Sequence, residues 1–174
     1  MEFSEENTRL LYGKITKKLI EEGLRITTME SCTAGLIASL LTDTEGASAA
    51  LRGAAVTYSN EEKIRQGVPA EIIDKYTVYS AETSAAMAKA ARENLRADIA
   101  LGITGSMGNK DPENPAASVP GEFWFTLDFK GEAKTFYRKL PPLSSRYIYK
   151  MTAAFEAGME LYRLLYGAYP KGEE

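Results

Sequence analysis

The chain has 174 residues, 44% of them hydrophobic and 26% charged, with a formal net charge of −3. That suits one domain with one substantial core, and the absence of a basic block argues against nucleic acid as the main partner. There is no histidine and one cysteine, Cys32, which excludes a Ser-His-Asp triad, a Cys-His pair, histidine or cysteine-cluster metal sites and an internal disulfide. A lone cysteine fits a reducing compartment. Residues 1–6 lack the charged-then-apolar pattern of a signal peptide, and no apolar run approaches the length of a membrane span. We therefore expect a cytoplasmic protein with no membrane partner. Any catalysis must fall to Ser, Thr, Cys, Lys, Tyr, Asp or Glu.

In chain order, Leu11, Ile15 and Leu19 recur at helical spacing, so Ser4 to Glu22 predicts a helix capped by Ser4 and ended by Gly23. Arg25 to Met29 is β-branched and reads as the first strand. A second helix is expected over about Thr33–Leu41. The turn-forming run Thr42–Gly46 follows, then a second strand over Gly53–Tyr58. Ser59 and Glu62 have capping-box spacing, and Pro69 opens a short helix. Ser80 caps a longer, alanine-rich helix to about Leu95, whose face of Ala85, Ala88 and Ala91 suits close approach to a sheet. Ile99–Thr104 is continuously apolar and reads as a central strand. Asn109–Pro120 is loop. Glu122–Phe129 and Ala133–Leu140 form a hairpin. Ser144 is expected to cap the last helix, with an apolar stripe of Ile148, Met151, Phe155, Met159 and Tyr162. The chain ends in a polar tail over about 170–174. The order α-β-α-β-α-α-β-β-β-α predicts one three-layer α/β/α domain spanning 1–174. Its mixed, mostly parallel sheet has five strands, and right-handed crossovers join the first three.

The stretch Glu30-Ser31-Cys32-Thr33 lies where the first strand hands over to a helix, which in an open α/β sheet is the ligand edge. If the first three strands are parallel, Ser31 meets Tyr58 and Lys63 after the second strand, and Thr104 and Gly105 after the third. Without histidine, a serine nucleophile needs another base, and a lysine held neutral can serve. Ser31, Lys63 and Tyr58 are thus the chemically sensible trio. The same residues also have plain structural readings. Ser31 or Thr33 suits a helix cap, Lys63 a solvated helix face, Ser48 a cap and Cys32 a small buried hydrophobe. Glu30 suits either acid-base work or tying the loop through backbone N–H groups. Arg146, in the first turn of the last helix, opposes the dipole unless it grips an anion there.

These residues together resemble a known family, the C-terminal domain of the competence/damage-inducible protein CinA. Members of that family also occur alone as nicotinamide-nucleotide amidases. The matching pieces are Glu30-Ser31-Cys32-Thr33-Ala34-Gly35, Thr42-Asp43, Gly46-Ala47-Ser48-Ala49, Arg52-Gly53 and Val56-Thr57-Tyr58-Ser59-Asn60-Glu61-Glu62-Lys63. Gly67-Val68, Ala97-Asp98-Ile99-Ala100 and Ile103-Thr104-Gly105 follow, so the likeness covers nearly the whole chain. It implies an α/β/α fold and hydrolysis of the carboxamide of nicotinamide mononucleotide, giving nicotinate mononucleotide and ammonia. It also implies Ser31 as nucleophile, Lys63 as base and Tyr58 as its assistant. Glu30, Thr33, Ser48, Thr104, Gly105 and Arg146 would surround the substrate, with Arg146 on the phosphate. It implies no metal or organic cofactor and a homodimer. The sequence departs from the family pattern at Ala34, where glycine is usual, at Ala47, where serine is usual, and in the loop after Thr104-Gly105. A binding module without hydrolysis, or an amidase for another small carboxamide, are the competing expectations.

Overall fold

A computed structural model describes residues 1–170; beyond Pro170, the expected polar tail lies outside the described residues. Helix α1 (Glu5–Glu21) begins where Ser4 Oγ accepts the Asn7 N–H, and it carries Glu5 and Glu6 in its first turn and Lys18 in its last. Both arrangements favour the helix dipole. Strand β1 (Ile26–Glu30) is buried throughout. Helix α2 (Leu36–Thr42), strand β2 (Leu51–Val56) and helices α3 (Asn60–Arg65), α4 (Ala70–Tyr76) and α5 (Ala81–Leu95) follow. Strands β3 (Ile99–Gly105), β4 (Glu122–Phe129) and β5 (Glu132–Lys139) and helix α6 (Arg146–Tyr166) complete the fold.

The sheet order is β2-β1-β3-β4-β5. β1 runs parallel to β2 and β3, and β4 is antiparallel to β3 and β5. The expected three-layer domain with a five-stranded mixed sheet is what the chain forms. One face packs on α1, α2 and α6 through Leu11, Ile15, Ile37, Phe125 and Leu161. The other packs on α5 and α4 through Met29, Ile73, Met87, Ala88 and Ala100. Gly102 lets α5 lie directly on the sheet, since a Cβ there would stand 2.4 Å from the Ser84 carbonyl. The hairpin turns on Lys130 and Gly131, both at positive φ, the backbone that a two-residue turn requires.

Four expectations shift. Three helices, not two, join β2 to β3, because Ser59 does cap a helix of its own. Helix α2 starts at Leu36 rather than Thr33, because Ala34 and Gly35 turn left-handed. The cap of α6 is Ser145, which accepts the Ile148 N–H, not Ser144. The buried line of α6 is Met151, Ala154, Phe155, Gly158 and Leu161; Ile148, Met159 and Tyr162 are half-buried at its border. The line shifts because Tyr12 of α1 lies against Gly158, where a Cβ would come within 2.9 Å of its ring.

The two sheet edges differ. β5 bears Glu132, Lys134, Arg138 and Lys139, and its Arg138 is paired with Glu156 and Glu160 of α6. β2 bears a single charge, Arg52, among Leu51, Gly53, Ala54, Ala55 and Val56. Among the described residues no helix is long and apolar enough to cross a membrane.

Candidate active site

The carboxyl ends of β1, β2 and β3 open together into a cleft of about 1050 Å³ lined by Ser31, Tyr58, Lys63, Tyr79, Gly105 and Arg146, among others. Ser31 is the first residue past β1, and its N–H still continues the sheet by donating to the Ile103 carbonyl at 3.0 Å. Lys63 sits on α3, turned inward. It is 2% exposed, and its Nζ donates to the Thr57 carbonyl at 2.8 Å and to Ser31 Oγ at 3.2 Å. Burial lowers the Lys63 pKa to about 8, because an ammonium loses its hydration there. Among the described residues no carboxylate pairs with it. The result is a hydroxyl beside an amine that is neutral in part near pH 8, which can do nucleophilic chemistry.

Cys32, next to Ser31, points into the core and is 4% exposed. Burial first, and the Glu30 charge second, push its thiol up to about 12, so it is no nucleophile.

Glu30 is fully buried and stands outside the cleft. Its carboxylate accepts from Thr28 Oγ1 (3.0 Å), Thr33 Oγ1 (2.6 Å) and the N–H groups of Gly35, Ile37 and Ala38 (3.0, 3.1 and 2.9 Å). It ties the turn to the start of α2. The substrate-contact expectation for Glu30 and Thr33 is therefore corrected: both are committed to each other and to the backbone. Ser48 is exposed in a short 3₁₀ turn (Ala47–Ala49) before β2, at the opposite end of the sheet. It is likewise removed from this cleft. Tyr58 is placed there, but its hydroxyl accepts from Arg146 at 2.9 Å and bonds neither Ser31 nor Lys63. Arg146, the first residue of α6, also donates to the Met107 carbonyl at 2.7 Å. Thr104 lines the cleft while its hydroxyl donates to the Val78 carbonyl at 2.7 Å.

The sequence reading missed Tyr79 and Asp111. Tyr79 Oη donates to Asp111 Oδ2 at 2.7 Å. Asp111 also accepts from Asn114 Nδ2 and the Glu113 N–H, and its own N–H donates to Ser118 Oγ. The loop after β3 is thereby anchored over the cleft. Only the run of turn formers around Asp111 hinted at this. Among the described residues no three acidic or cysteine side chains converge as metal ligands.

The sequence pattern of the CinA C-terminal domain matches residues 9–165. The chain belongs to the CinA C-terminal domain family. It is 37% identical over 153 residues to a CinA-like protein of Shewanella baltica, covering 86% of this chain and 35% of the relative. A CinA-like protein of Citrifermentans bemidjiense is 44% identical over 117 residues, which is 66% of this chain and 28% of the relative. This CinA domain thus spans about a third of the length of the relatives it matches. Among solved structures, a CinA superfamily protein of Klebsiella pneumoniae superposes with a TM-score of 0.84 at 27% identity, covering 92% of this chain and 99% of that one. The competence/damage-inducible protein CihA of Agrobacterium tumefaciens gives 0.82 at 26% identity, covering 95% and 99%.

Proposed function

We propose that this CinA domain is an amidohydrolase that converts the carboxamide of nicotinamide mononucleotide to the carboxylate, releasing ammonia. The observation that carries the reading is Lys63 Nζ at 3.2 Å from Ser31 Oγ with its pKa lowered by burial. In the first half-reaction Ser31 Oγ attacks the carboxamide carbon and its proton passes to neutral Lys63. The tetrahedral intermediate collapses, the C–N bond breaks and Lys63 returns the proton to the departing ammonia. In the second, Lys63 takes a proton from water, the hydroxide adds to the acyl-Ser31 ester, and Ser31 leaves with that proton. Arg146 and the Tyr58 hydroxyl, already bonded to each other, suit the phosphate as a charged and a neutral donor side by side. The substrate class rests on the family and on this anion grip.

The test is ammonia release from nicotinamide mononucleotide by the wild type, Ser31→Ala and Lys63→Ala. Release lost in both variants supports the mechanism. Release that persists in Ser31→Ala ends it. A wild type that gains thermal stability with the nucleotide but releases no ammonia would move the assignment to a binding module.

A further inference from the structure

Most backbone donors of the turn that carries the nucleophile have named partners. Ser31 N–H goes to the Ile103 carbonyl, Ala34 N–H to the Ser31 carbonyl and Leu36 N–H to the Thr33 carbonyl. Gly35, Ile37 and Ala38 N–H groups go to Glu30. The donors of the first turn of α2, which sequence reasoning would offer to a substrate, are therefore spent. Cys32 N–H donates to no other residue, meeting only its own thiol, and Cys32 lines the cleft. Its side chain belongs to the core, so what it presents to the cleft is backbone.

A second free donor lies opposite. Ile103 turns its carbonyl toward β1, where it accepts from Ser31. Two residues on, the period of the strand turns Gly105 the same way. Ser106 N–H donates to the Glu122 carbonyl on the β4 side, which leaves Gly105 facing β1, and the Ser31 carbonyl it would meet is taken by Ala34. Glu30 with Ile103 is the last register pair, and past it the turn and the end of β3 face the same cleft, which Cys32 and Gly105 both line. Gly105 has no room for a side chain, since a Cβ would stand 2.3 Å from Phe123 Cβ. Its cleft-facing side is backbone as well.

We infer that the backbone N–H groups of Cys32 and Gly105 form the oxyanion hole of this site. Resting on the amidase reading above, it assigns the charge-stabilising donors that Ser31 and Lys63 alone do not supply. When Ser31 Oγ adds to a carboxamide, the carbonyl oxygen becomes an anion that needs fixed donors. One of them follows the nucleophile directly, as in strand–turn–helix hydrolases. Glu30 is a positioning residue here: by taking the α2 donors it holds the turn in the shape that leaves Cys32 N–H open.

The sequence makes both amides separately visible. Cys32 is the single cysteine, and Thr104-Gly105 is the single Thr-Gly pair. Selective ¹⁵N-cysteine labelling, and ¹³C-carbonyl threonine with ¹⁵N-glycine, each give one amide resonance. The probe is pyridine-3-boronic acid, a trigonal boron in place of the carboxamide carbon. Ser31 Oγ adds to boron, the hydroxyl proton passes to Lys63, and nothing leaves; the product is a tetrahedral boronate anion. We expect the adduct on the wild type but not on Ser31→Ala, and both resonances to move downfield with it. An adduct on Ser31 that leaves both resonances unmoved overturns the hole while sparing the amidase reading. Absence of any adduct on a folded wild type overturns that reading and the hole together.

Discussion

At position 34 the turn asks for a glycine and receives an alanine. Ala34 has φ of 52° and is exposed, so its methyl packs on little while its Cβ crowds the left-handed backbone. Ala34→Gly should raise stability by about 1 kcal/mol, net of the extra freedom glycine gives the unfolded chain, read as a higher urea midpoint at unchanged slope. The conformation belongs to the same turn that carries Ser31, so the strain is stored where the nucleophile is set. The second residue-scale expectation concerns Lys63. Its amine must be neutral to accept the Ser31 proton, and burial holds its pKa at about 8. The kcat/KM for ammonia release should rise with pH through about 8 and then level off. Lys63→Arg, whose charge persists across that range, should abolish the limb along with the activity. A profile flat from pH 6 to 9 would mean that another group is the base.

At the scale of elements, α6 presents Arg146 and the turn after β2 presents Tyr58, and their bond joins two distant parts of the chain at the cleft. Arg146→Ala should raise KM for the nucleotide at least tenfold, equivalent to about 1.4 kcal/mol or more of lost charge-assisted binding, while the KM of the dephosphorylated nucleoside changes little. Equal losses for both would place the phosphate elsewhere. Gly102→Ala probes the helix on the other face. Its methyl would press on the Ser84 carbonyl and the Ala88 N–H, and lifting α5 should cost about 1–3 kcal/mol, measured by denaturant unfolding. Most elements were legible because their signals are local: Ser4 and Ser80 before helical periodicity, and Lys130-Gly131 between two alternating runs. What failed was read from neighbours in sequence when neighbours in space decided. Ser144 and Ser145 are equal as letters, and only the direction in which the chain enters α6 chooses Ser145. Glu30 beside Ser31 looks like an acid or base until the turn closes and five donors converge on it. Lys63 follows a strand as solvated lysines do, yet α3 is short and set so that this one faces inward.

Taken as a whole molecule, the fold should show its buried titratable groups in its stability. Lys63 has a folded pKa of about 8 against 10.5 for a free side chain. Between those values the unfolded chain binds more protons, so stability rises with pH, by about 2 kcal/mol. Tyr12 is fully buried and its pKa is raised well above 10.0 by burial. Above pH 10 the unfolded chain releases that proton first, so stability falls again. The Cys32 thiol, held at about 12 against 9.0 by burial, works the same way from pH 9 onward, so unfolding free energy should climb from pH 8 to about 9 and drop beyond it, and Lys63→Met should flatten the climb while keeping the drop. The three strands that build the cleft were foreseeable as parallel because helices separate them. The anchoring of the 106–120 loop by Tyr79 and Asp111 was not, since a phenol and a carboxylate 32 positions apart leave no periodic trace. The sheet border at β2 has a further meaning. β5 is fenced with charges, but β2 is nearly bare along about 20 Å of strand, and Tyr58 follows two residues past its far end, at the mouth of the cleft. Charges disfavour lengthening the sheet at β5, and a mate zipped antiparallel onto the β2 border would bring the Ser48 end of its own β2 back toward Tyr58. The distance that separates those two residues within one chain is the length of a single shared strand.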